Sequence, residues 1–342
     1  MTKSKSNSAI TEDKSIENAI EKSLAIFEKD IKNTIDYEFE KYLHKNTSLK
    51  SAAYDSIEGG KHIRAFSTIL FYKLAGGKKK EYKKVAAAME LIHCASLIID
   101  DEIDKVDFRP DRNAPSIRGK YTPEEASGIA MLEVLYATHL LFEGTDHLKQ
   151  NKKEKIRHLF VKLVSDGETG EIFKWKFTQQ RKIPSKKQYW KELLGPTAAL
   201  FFQLTGEIGA IIATDNQKLI EKTSSLAYKM GELLQAGDDL KDLKEDLRDG
   251  FYALPVINHY ESLKGKEKKE FAKKLSYKLS EKALTDIYYE VIYSKTMDLT
   301  ISEIKKVGQD LIDLLIDFPE TEEKKSLIKI ITYLKDRMKL VN

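Results

Sequence analysis

Apolar side chains recur every three to four positions through most of the chain, which is the spacing of one face of an α-helix. In 16–42 they fall at Ile20, Leu24, Ile26, Phe27, Ile31, Ile35 and Phe39. The same periodicity predicts further helices over 61–75, 79–104, 122–149, 153–180, 186–213, 216–245, 252–262, 266–294, 298–317 and 321–340. Because the alternation typical of strands is almost absent, the sequence predicts an all-α fold.

Two segments of these helices, 85–99 and 198–213, are apolar on nearly every side. Helices of this kind lie at the centre of a protein, with other helices around them. Since no linker or repeat interrupts the chain, we predict one large helical domain over 15–342 with buried central helices. Residues 1–14 are polar, which predicts a flexible tail and not a signal peptide.

The bulk properties exclude several classes of function. The 342 residues carry a net charge of only +4, which is too balanced for nucleic acid to be the main partner. The single cysteine, Cys94, excludes an intramolecular disulfide and a multi-cysteine metal site. The most apolar stretch, 198–213, is interrupted by Gln203 and Glu207 and is too short to span a bilayer. We therefore predict a cytoplasmic protein with no transmembrane segment.

The pattern D-D-x-x-D occurs twice, each time after apolar helical residues. Its carboxylates are Asp100, Asp101 and Asp104 in the first cluster and Asp238, Asp239 and Asp242 in the second. Residues four apart share one face of a helix, so the carboxylates of each cluster repel one another and require a counter-charge. Mg2+ suits them, because it binds one or two carboxylates and fills its other positions with water and phosphate oxygens. We predict that Asp100, Asp104 and Asp238 are magnesium ligands and that Asp101, Asp239 and Asp242 ligate the metal or support it through water, so that all six are catalytic.

Basic residues near the first cluster are candidates for binding an anionic substrate. Lys61 and Arg64 lie three apart at the start of a predicted helix, directly after two glycines. A helix start of this kind binds anions, although a solvated surface explains these two residues equally well. Arg109 and Arg112 lie in a proline-containing loop that can fold back over the first cluster, and guanidinium groups suit phosphate oxygens.

Five motifs between about residues 52 and 257 resemble, in order, those of trans-prenyl diphosphate synthases, the family of the farnesyl and geranylgeranyl diphosphate synthases. The matching segments of this chain, each followed by the family's pattern in parentheses, are 59–64 (G-G-K-R-x-R), 90–93 (E-L-I-H) with the first cluster, 109–116 (R-R-G-x-P-T), 234–242 (F-Q-x-x-D-D-x-x-D) and 246–255 (D-L-x-x-G-K-x-T-L-P). Five ordered matches at nearly the family's spacing make a chance resemblance implausible.

The resemblance implies an isoprenoid synthase fold, in which central apolar helices surround a deep cavity. It also implies an enzyme that condenses isopentenyl diphosphate with an allylic diphosphate bound through magnesium. By position, isopentenyl diphosphate would contact Lys61, Arg64, His93 and Arg112, and Arg109 would face the allylic diphosphate. Gln235 belongs to the second aspartate motif and is a further predicted substrate contact. A homodimer, or a heteromer with a related synthase, is implied in the same way.

The chain departs from the family mainly at the allylic site. The family's K-T pair is Pro196-Thr197, the lysine of G-K-x-T-L-P is Phe251, and the aspartate of G-Q-x-x-D is Lys174. The residues expected for isopentenyl diphosphate are thus nearly complete, whereas cations have been lost for the other substrate. We predict that Lys174 supplies a transposed charge, and the alternative is that Lys174 merely extends into solvent.

Three functions remain open on these grounds. The first is a chain-elongating synthase. In the family that the chain resembles, bulky side chains just before the first cluster close the cavity and stop the chain early, whereas Ala95 and Ser96 are small here. We therefore predict products of about twenty carbons or more, and a shorter product in Ala95→Phe. The second is a non-catalytic or regulatory subunit of a heteromeric prenyl synthase, which the missing lysines favour. The third is a terpene cyclase or other prenyltransferase, which would be expected to discard the isopentenyl diphosphate residues that this chain keeps.

Overall fold

The computed structural model describes residues 29, 31–42, 47–60, 62–78, 82–109 and 112–337. Helices dominate this part of the chain, as the sequence predicts. They are α1 (31–42), α2 (Thr47–Ile57), α3 (Ile63–Leu74), α4 (Tyr82–Asp104), α5 (Ile117–Lys120), α6 (Pro123–Thr145), α7 (Gln150–Gln180), α8 (Lys186–Gln188), α9 (Leu200–Ala213), α10 (Gln217–Lys241), α11 (Leu243–Asp249), α12 (Leu254–Ser262), α13 (Gly265–Leu275), α14 (Glu281–Ile292), α15 (Thr296–Leu315) and α16 (Glu322–Arg337). Among the described residues the only strands are β1 (Phe108–Arg109) and β2 (Ala114–Pro115), which pair antiparallel.

The chain divides into two compact units, Met1–His158 with Thr205–Thr223, and Leu159–Leu204 with Ser224–Asn342. In the first unit α4 packs against α6 and α3. Small side chains make the contact between α4 and α6 close: Ala95 of α4 lies in one buried apolar cluster with Ala126 and Ala130 of α6. α4 is thereby fixed along its length, which positions the first aspartate cluster at its C-terminal end.

The second unit has a core built by α11 to α15. Leu247, Val256, Phe271, Leu284 and Met297, one from each of these helices, belong to a single buried cluster. The hydroxyl of Tyr252, just before α12, donates a hydrogen bond of 2.5 Å to the carbonyl of Leu275 at the end of α13. The segment between α11 and α12, which follows the second aspartate cluster, is therefore held by the buried cluster and by the hydrogen bond to α13.

Two five-residue π-helical stretches, Tyr189–Leu193 and Gly195–Ala199, precede α9. Pro196 has no backbone N–H, so an ordinary helical hydrogen bond is lost at this position and a wider turn is tolerated. A Cβ added to Gly170 of α7 would lie only 2.7 Å from the Cβ of Pro196. The backbone of α7 thus approaches the proline so closely that only glycine fits at residue 170.

Three details of the predicted helices are wrong. The α2 helix was not predicted. The predicted helix over 266–294 divides into α13 and α14, because the hydroxyl of Ser280 caps a new helix by accepting from the backbone N–H of Ala283. The predicted helix over 216–245 divides at Asp242. The predicted tail at 1–14, and the part of the first helix before residue 29, lie outside the described residues.

One helical run in the described part of the chain, Lys186–Ala213, is long and apolar enough to cross a membrane by length and composition alone. Within its most apolar window 61% of the residues are buried inside the protein. Burial to this extent is also found in the core helices of proteins that do not enter membranes, so the run is weak support for a membrane span.

Candidate active site

The first aspartate cluster forms the last turn of α4. Asp101 is buried, at 5% exposure, whereas Asp100 is half-buried and Asp104 is exposed. Arg109 holds Asp101 through two hydrogen bonds, from Nε to Oδ2 at 2.9 Å and from Nη2 to Oδ1 at 2.8 Å. The central carboxylate is thus fixed by a bidentate ion pair, and the two outer carboxylates are more exposed to solvent than it is.

The arginine loop folds back on the first cluster, as the sequence analysis predicts. The β1–β2 pair sets the direction of Arg109, whose Nη2 also donates to the carbonyl of Leu97 at 3.2 Å. Arg112 donates from Nη1 to the carbonyl of Ser56 at 3.0 Å, at the end of α2, where helix carbonyls lack partners. The intervening residues 110 and 111 lie outside the described residues.

The charges of four basic side chains act on His93. Burial lowers the pKa of His93 well below its usual value, and the charges of Arg64, Arg112 and Arg109 and of His62 lower it further. Arg64 and Arg112 thus lie near enough to His93 for their charges to act on it, and the contact of all three with isopentenyl diphosphate stays a prediction. At neutral pH His93 is an uncharged imidazole that can donate one hydrogen bond to an anion without adding a charge. The fourth predicted contact, Lys61, lies outside the described residues.

Glu90 organises the start of α3 beneath this basic group. Its Oε2 accepts from the backbone N–H of Ala65 at 3.0 Å, and its Oε1 lies 3.3 Å from Nδ1 of His62. His62 adopts a left-handed backbone conformation, with φ of 48°, which is uncommon outside glycine. The contact with Glu90 accompanies this conformation. His62 is a residue that the sequence analysis did not single out.

The second aspartate cluster repeats the arrangement of the first. Asp239 is buried, at 4% exposure, whereas Asp238 is exposed and Asp242 is half-buried. Tyr189 donates from its hydroxyl to Asp239 Oδ2 at 2.6 Å, and Gln235 donates from Nε2 to Oδ1 at 2.8 Å. Burial raises the pKa of Asp239, and these two hydrogen bonds oppose the rise because they stabilise the charged form.

Lys174 lies beside the second cluster on α7. Its charge lowers the pKa of Asp239 and of Asp246, against the raising effect of burial on both carboxyl groups. Its Nζ lies 5.3 Å from the centroid of the Phe251 ring, within the range of a cation–π contact. Lys174 therefore contacts Phe251, and its charge acts on Asp239 of the second cluster; its role toward the allylic diphosphate stays a prediction.

The donors of the two clusters fit magnesium. Each cluster offers two outer carboxylates about one helical turn apart, from Asp100 and Asp104 and from Asp238 and Asp242, with oxygen as the only ligand atom. The more exposed positions leave room for the water molecules that Mg2+ retains. Metal ligation by Asp100, Asp104 and Asp238 stays a prediction, as do the substrate contacts of Arg109 and Gln235, whose side chains here hold Asp101 and Asp239.

Two further groups near the site were not predicted. Tyr189 carries no signal in the sequence beyond its place in an apolar helix, because its partner Asp239 is 50 residues away. Ser56 donates a short hydrogen bond to Glu133, which is buried, and burial raises the pKa of Glu133 to about 8. A carboxyl group that is neutral at pH 7 thus lies next to the residue whose carbonyl Arg112 contacts.

Comparison with known proteins places this site in a family. Residues 46–292 match the family model described as polyprenyl synthetase. The chain is 30% identical over 268 residues to the short chain isoprenyl diphosphate synthase of Methanocaldococcus jannaschii, covering 75% of this chain and 79% of that protein. It is 25% identical over 290 residues to heptaprenyl diphosphate synthase component 2 of Bacillus subtilis, covering 82% of this chain and 79% of the relative.

Solved structures give the same result for the fold. The crystal structure of geranylgeranyl pyrophosphate synthetase from Pyrococcus horikoshii matches with a TM-score of 0.81 at 22% identity, covering 93% of this chain and 99% of that one. The fold is that of the all-α isoprenoid synthases. With a family model that spans most of its length and a relative at 30% identity, this chain belongs to the polyprenyl synthetase family.

Proposed function

We propose that this protein is a prenyltransferase that elongates an allylic diphosphate with isopentenyl diphosphate, giving a product of about twenty carbons or more. The observation that carries the proposal is the shared design of the two clusters. In each, protein side chains hold the central aspartate, and the outer carboxylates remain accessible. A protein without catalysis has no chemical need for two sets of carboxylates arranged in this way.

The isopentenyl diphosphate side of the proposed site is supplied by the basic group around His93. Arg64 and Arg112 would bind the diphosphate, and the neutral imidazole of His93 would donate to it without competing for metal or proton. Because Arg112 is held by the Ser56 carbonyl at 3.0 Å, its guanidinium is oriented before substrate arrives. Orientation of this kind reduces the entropy lost when substrate binds.

The allylic side depends on the two aspartate clusters. Asp100, Asp104 and Asp238 would hold Mg2+, and the chemistry that the ion would supply is positive charge for the diphosphate leaving group. The side chains that hold Asp101 and Asp239 fix the orientation of the central carboxylate in each cluster. Lys174, beside Asp239, would add positive charge for the same leaving group from α7.

A second candidate is a partner subunit that modulates an active homologue. Two positions favour it: Pro196 stands where the family has lysine and is packed against Gly170, and Phe251 stands where the family has a second lysine. The relative from B. subtilis is named as one component of a synthase. The basic group around His93 is retained, which counts against the third possibility, a terpene cyclase.

We further propose that the protein assembles as a dimer, either with itself or with a related synthase. Met131, Leu135 and Phe142 of α6 are 61%, 56% and 42% exposed, and their spacing of four and seven places them on one face of the helix. An exposed apolar stripe of this kind is typical of an association surface. We also propose that the protein acts in the cytoplasm.

The experiment that tests the proposed function uses the purified full chain with magnesium, isopentenyl diphosphate and a series of allylic diphosphates. Chain-elongated diphosphates of twenty carbons or more support the synthase. Hydrocarbon or alcohol products would instead identify a cyclase. No product until a related synthase is added would identify the partner subunit, and no product under any of these conditions would overturn all three.

A further inference from the structure

A second group of ligand-type side chains lies away from the aspartate clusters. Glu38 of α1 and His139 and Glu143 of α6 each place one carboxylate oxygen or ring nitrogen within 4.8 Å of the other two. Lys84, which contacts this group, lies sixteen residues before Asp100 on α4. At 1.5 Å per residue, that separates the group from the first aspartate cluster by roughly 24 Å along the helix.

Glu38 is the least expected member of the group. It is only 1% exposed, and its Oε2 has no hydrogen-bond partner among the described residues. A buried carboxylate oxygen without a partner is unfavourable unless a cation or a donor compensates it. This oxygen lies 3.5 Å from Nε2 of His139, so it is directed at the group and not into the apolar core.

The distances from His139 to the two carboxylates are those of ligands around a metal. Nε2 of His139 lies 3.5 Å from Glu38 Oε2 and 3.6 Å from Glu143 Oε1. A charge-assisted hydrogen bond would draw such pairs to about 2.7–2.9 Å. Ligands around a tetrahedral Zn2+, with metal–ligand bonds of about 2.1 Å, lie roughly 3.4 Å apart.

The neighbours of the group leave these atoms available. Nζ of Lys84 donates a hydrogen bond of 2.5 Å to Oε2 of Glu143, which leaves Oε1 of the same carboxylate facing His139. The hydrogen bond from Lys84 lowers the pKa of Glu143, which keeps that carboxylate charged. Tyr42 lies beside the group, with its hydroxyl 3.3 Å from Nε2 of His139. The side chains of His139 and Glu143 are 35% and 36% exposed, which gives an ion a path from solvent.

We propose that Glu38, His139 and Glu143 form a binding site for a divalent transition-metal ion of the Zn2+ type, separate from the magnesium-type aspartate clusters. One imidazole nitrogen with two carboxylate oxygens is a ligand set that suits Zn2+ better than Mg2+. His139 and Glu143 lie four apart on α6 and share a face, and Glu38 comes from α1. A bound ion would therefore link α1 to α6 and compensate the buried charge of Glu38.

The test is a titration of the metal-stripped full chain with Co2+ in an excess of Mg2+, followed by the visible spectrum of the bound ion. The proposal expects one Co2+ with imidazole ligation, displaced by Zn2+. Affinity should fall by about tenfold or more in His139→Ala and in Glu38→Gln. It should be unchanged in His158→Ala, a control at an exposed histidine of α7, and in the double variant Asp100→Ala/Asp238→Ala.

Thermal unfolding with and without Zn2+ is a second readout, which remains informative if a variant is less stable than the wild type. Zn2+ should raise the thermal midpoint of the wild type and of His158→Ala, but not of His139→Ala or Glu38→Gln. Without metal, Glu38→Gln should be at least as stable as the wild type, because it removes an uncompensated buried charge. The proposal is overturned if Co2+ binds His139→Ala as it binds the wild type, if Zn2+ stabilises all four proteins equally, or if the Co2+ spectrum disappears in the aspartate double variant.

Discussion

The ammonium group of Lys174 lies 5.3 Å from the ring centroid of Phe251, which occupies the lysine position of the motif that residues 246–255 resemble. The two residues come from α7 and from the segment before α12, and Lys174 also lowers the pKa of Asp239 and Asp246. A positive charge is therefore present near the second cluster, although it comes from a different helix. A cation lost at one position and gained at a neighbouring one preserves the local charge.

This relationship leads to the first prediction. Lys174→Ala should lower the kcat/KM for the allylic diphosphate by about a hundredfold or more, because a preorganised charge at the leaving group is lost. The KM for isopentenyl diphosphate should change little. Lys176→Ala removes an exposed lysine two residues away and is the matched control. Steady-state kinetics with each substrate varied in turn separates the two effects, and equal losses for both substrates would argue against the assigned role.

The second prediction separates the central aspartates from the outer ones. Asp101→Asn breaks the ion pair with Arg109, which is largely buried, and should lower the free energy of unfolding by roughly 3 kcal/mol as well as abolishing turnover. Asp100→Asn should abolish turnover with little change in stability, because a repelling charge is removed. Denaturant unfolding and an elongation assay on both variants provide the comparison. Equal stability of the two variants would contradict the holding role of Arg109.

The third prediction concerns product length, and here the structure corrects the sequence analysis. Ala95 was expected to face the growing chain, so that Ala95→Phe would shorten the product. Instead, Ala95 is 1% exposed and packs against α6, so a phenylalanine there would mainly overpack the helix contact, at about 1–3 kcal/mol. Ser96 lies four residues before Asp100 and shares its helix face.

Ser96→Phe is therefore the informative substitution. It should shift the product distribution toward shorter chains while the thermal midpoint stays near that of the wild type. Ala95→Phe, the control for added volume, should lower the midpoint instead. The measurement is product analysis by mass spectrometry beside thermal unfolding. An unchanged product distribution in Ser96→Phe would place the limit on chain length elsewhere.

The fourth prediction follows from the buried carboxyl group of Glu133, whose pKa burial raises from 4.5 to about 8. Between these two values the folded protein binds a proton that the unfolded chain has released, so stability falls as pH rises from about 4.5 to about 8. In Glu133→Gln, which keeps an acceptor for Ser56, the unfolding free energy should fall by a few kcal/mol less over this pH range than it does in the wild type. Unfolding free energies at pH 6 and pH 8 should differ less in Glu133→Gln than in the wild type. An equal difference in both proteins would contradict the raised pKa.

The sequence predicted the parts of this site that are local in the chain. Asp100 and Asp104 share a face because of helical geometry, and Arg109 reaches Asp101 because only seven residues separate them. Contacts between distant residues were not predictable in this way. Tyr189 reaches Asp239 through a π-helical segment whose geometry depends on Pro196, and Glu38 meets His139 across about one hundred residues.

The helix boundaries show the same distinction. The single predicted helix over 266–294 overlooked the cap at Ser280, because an apolar periodicity that continues in phase conceals a break. The short strands at Phe108 and Ala114 were not predicted, since two-residue strands carry no periodic signal. Periodicity gives the faces of long helices, whereas caps and side-chain pairs decide where each helix ends.

The central claim is that the chain elongates prenyl diphosphates because Lys174 replaces the cations lost at Pro196 and Phe251. The most direct test is the kcat/KM for the allylic diphosphate in four proteins: the wild type, Lys174→Ala, Phe251→Lys and the double variant. The account predicts a large loss in Lys174→Ala and substantial recovery in the double variant, where the lysine returns to the family's position. Full activity of Lys174→Ala, or no recovery in a correctly folded double variant, would contradict it.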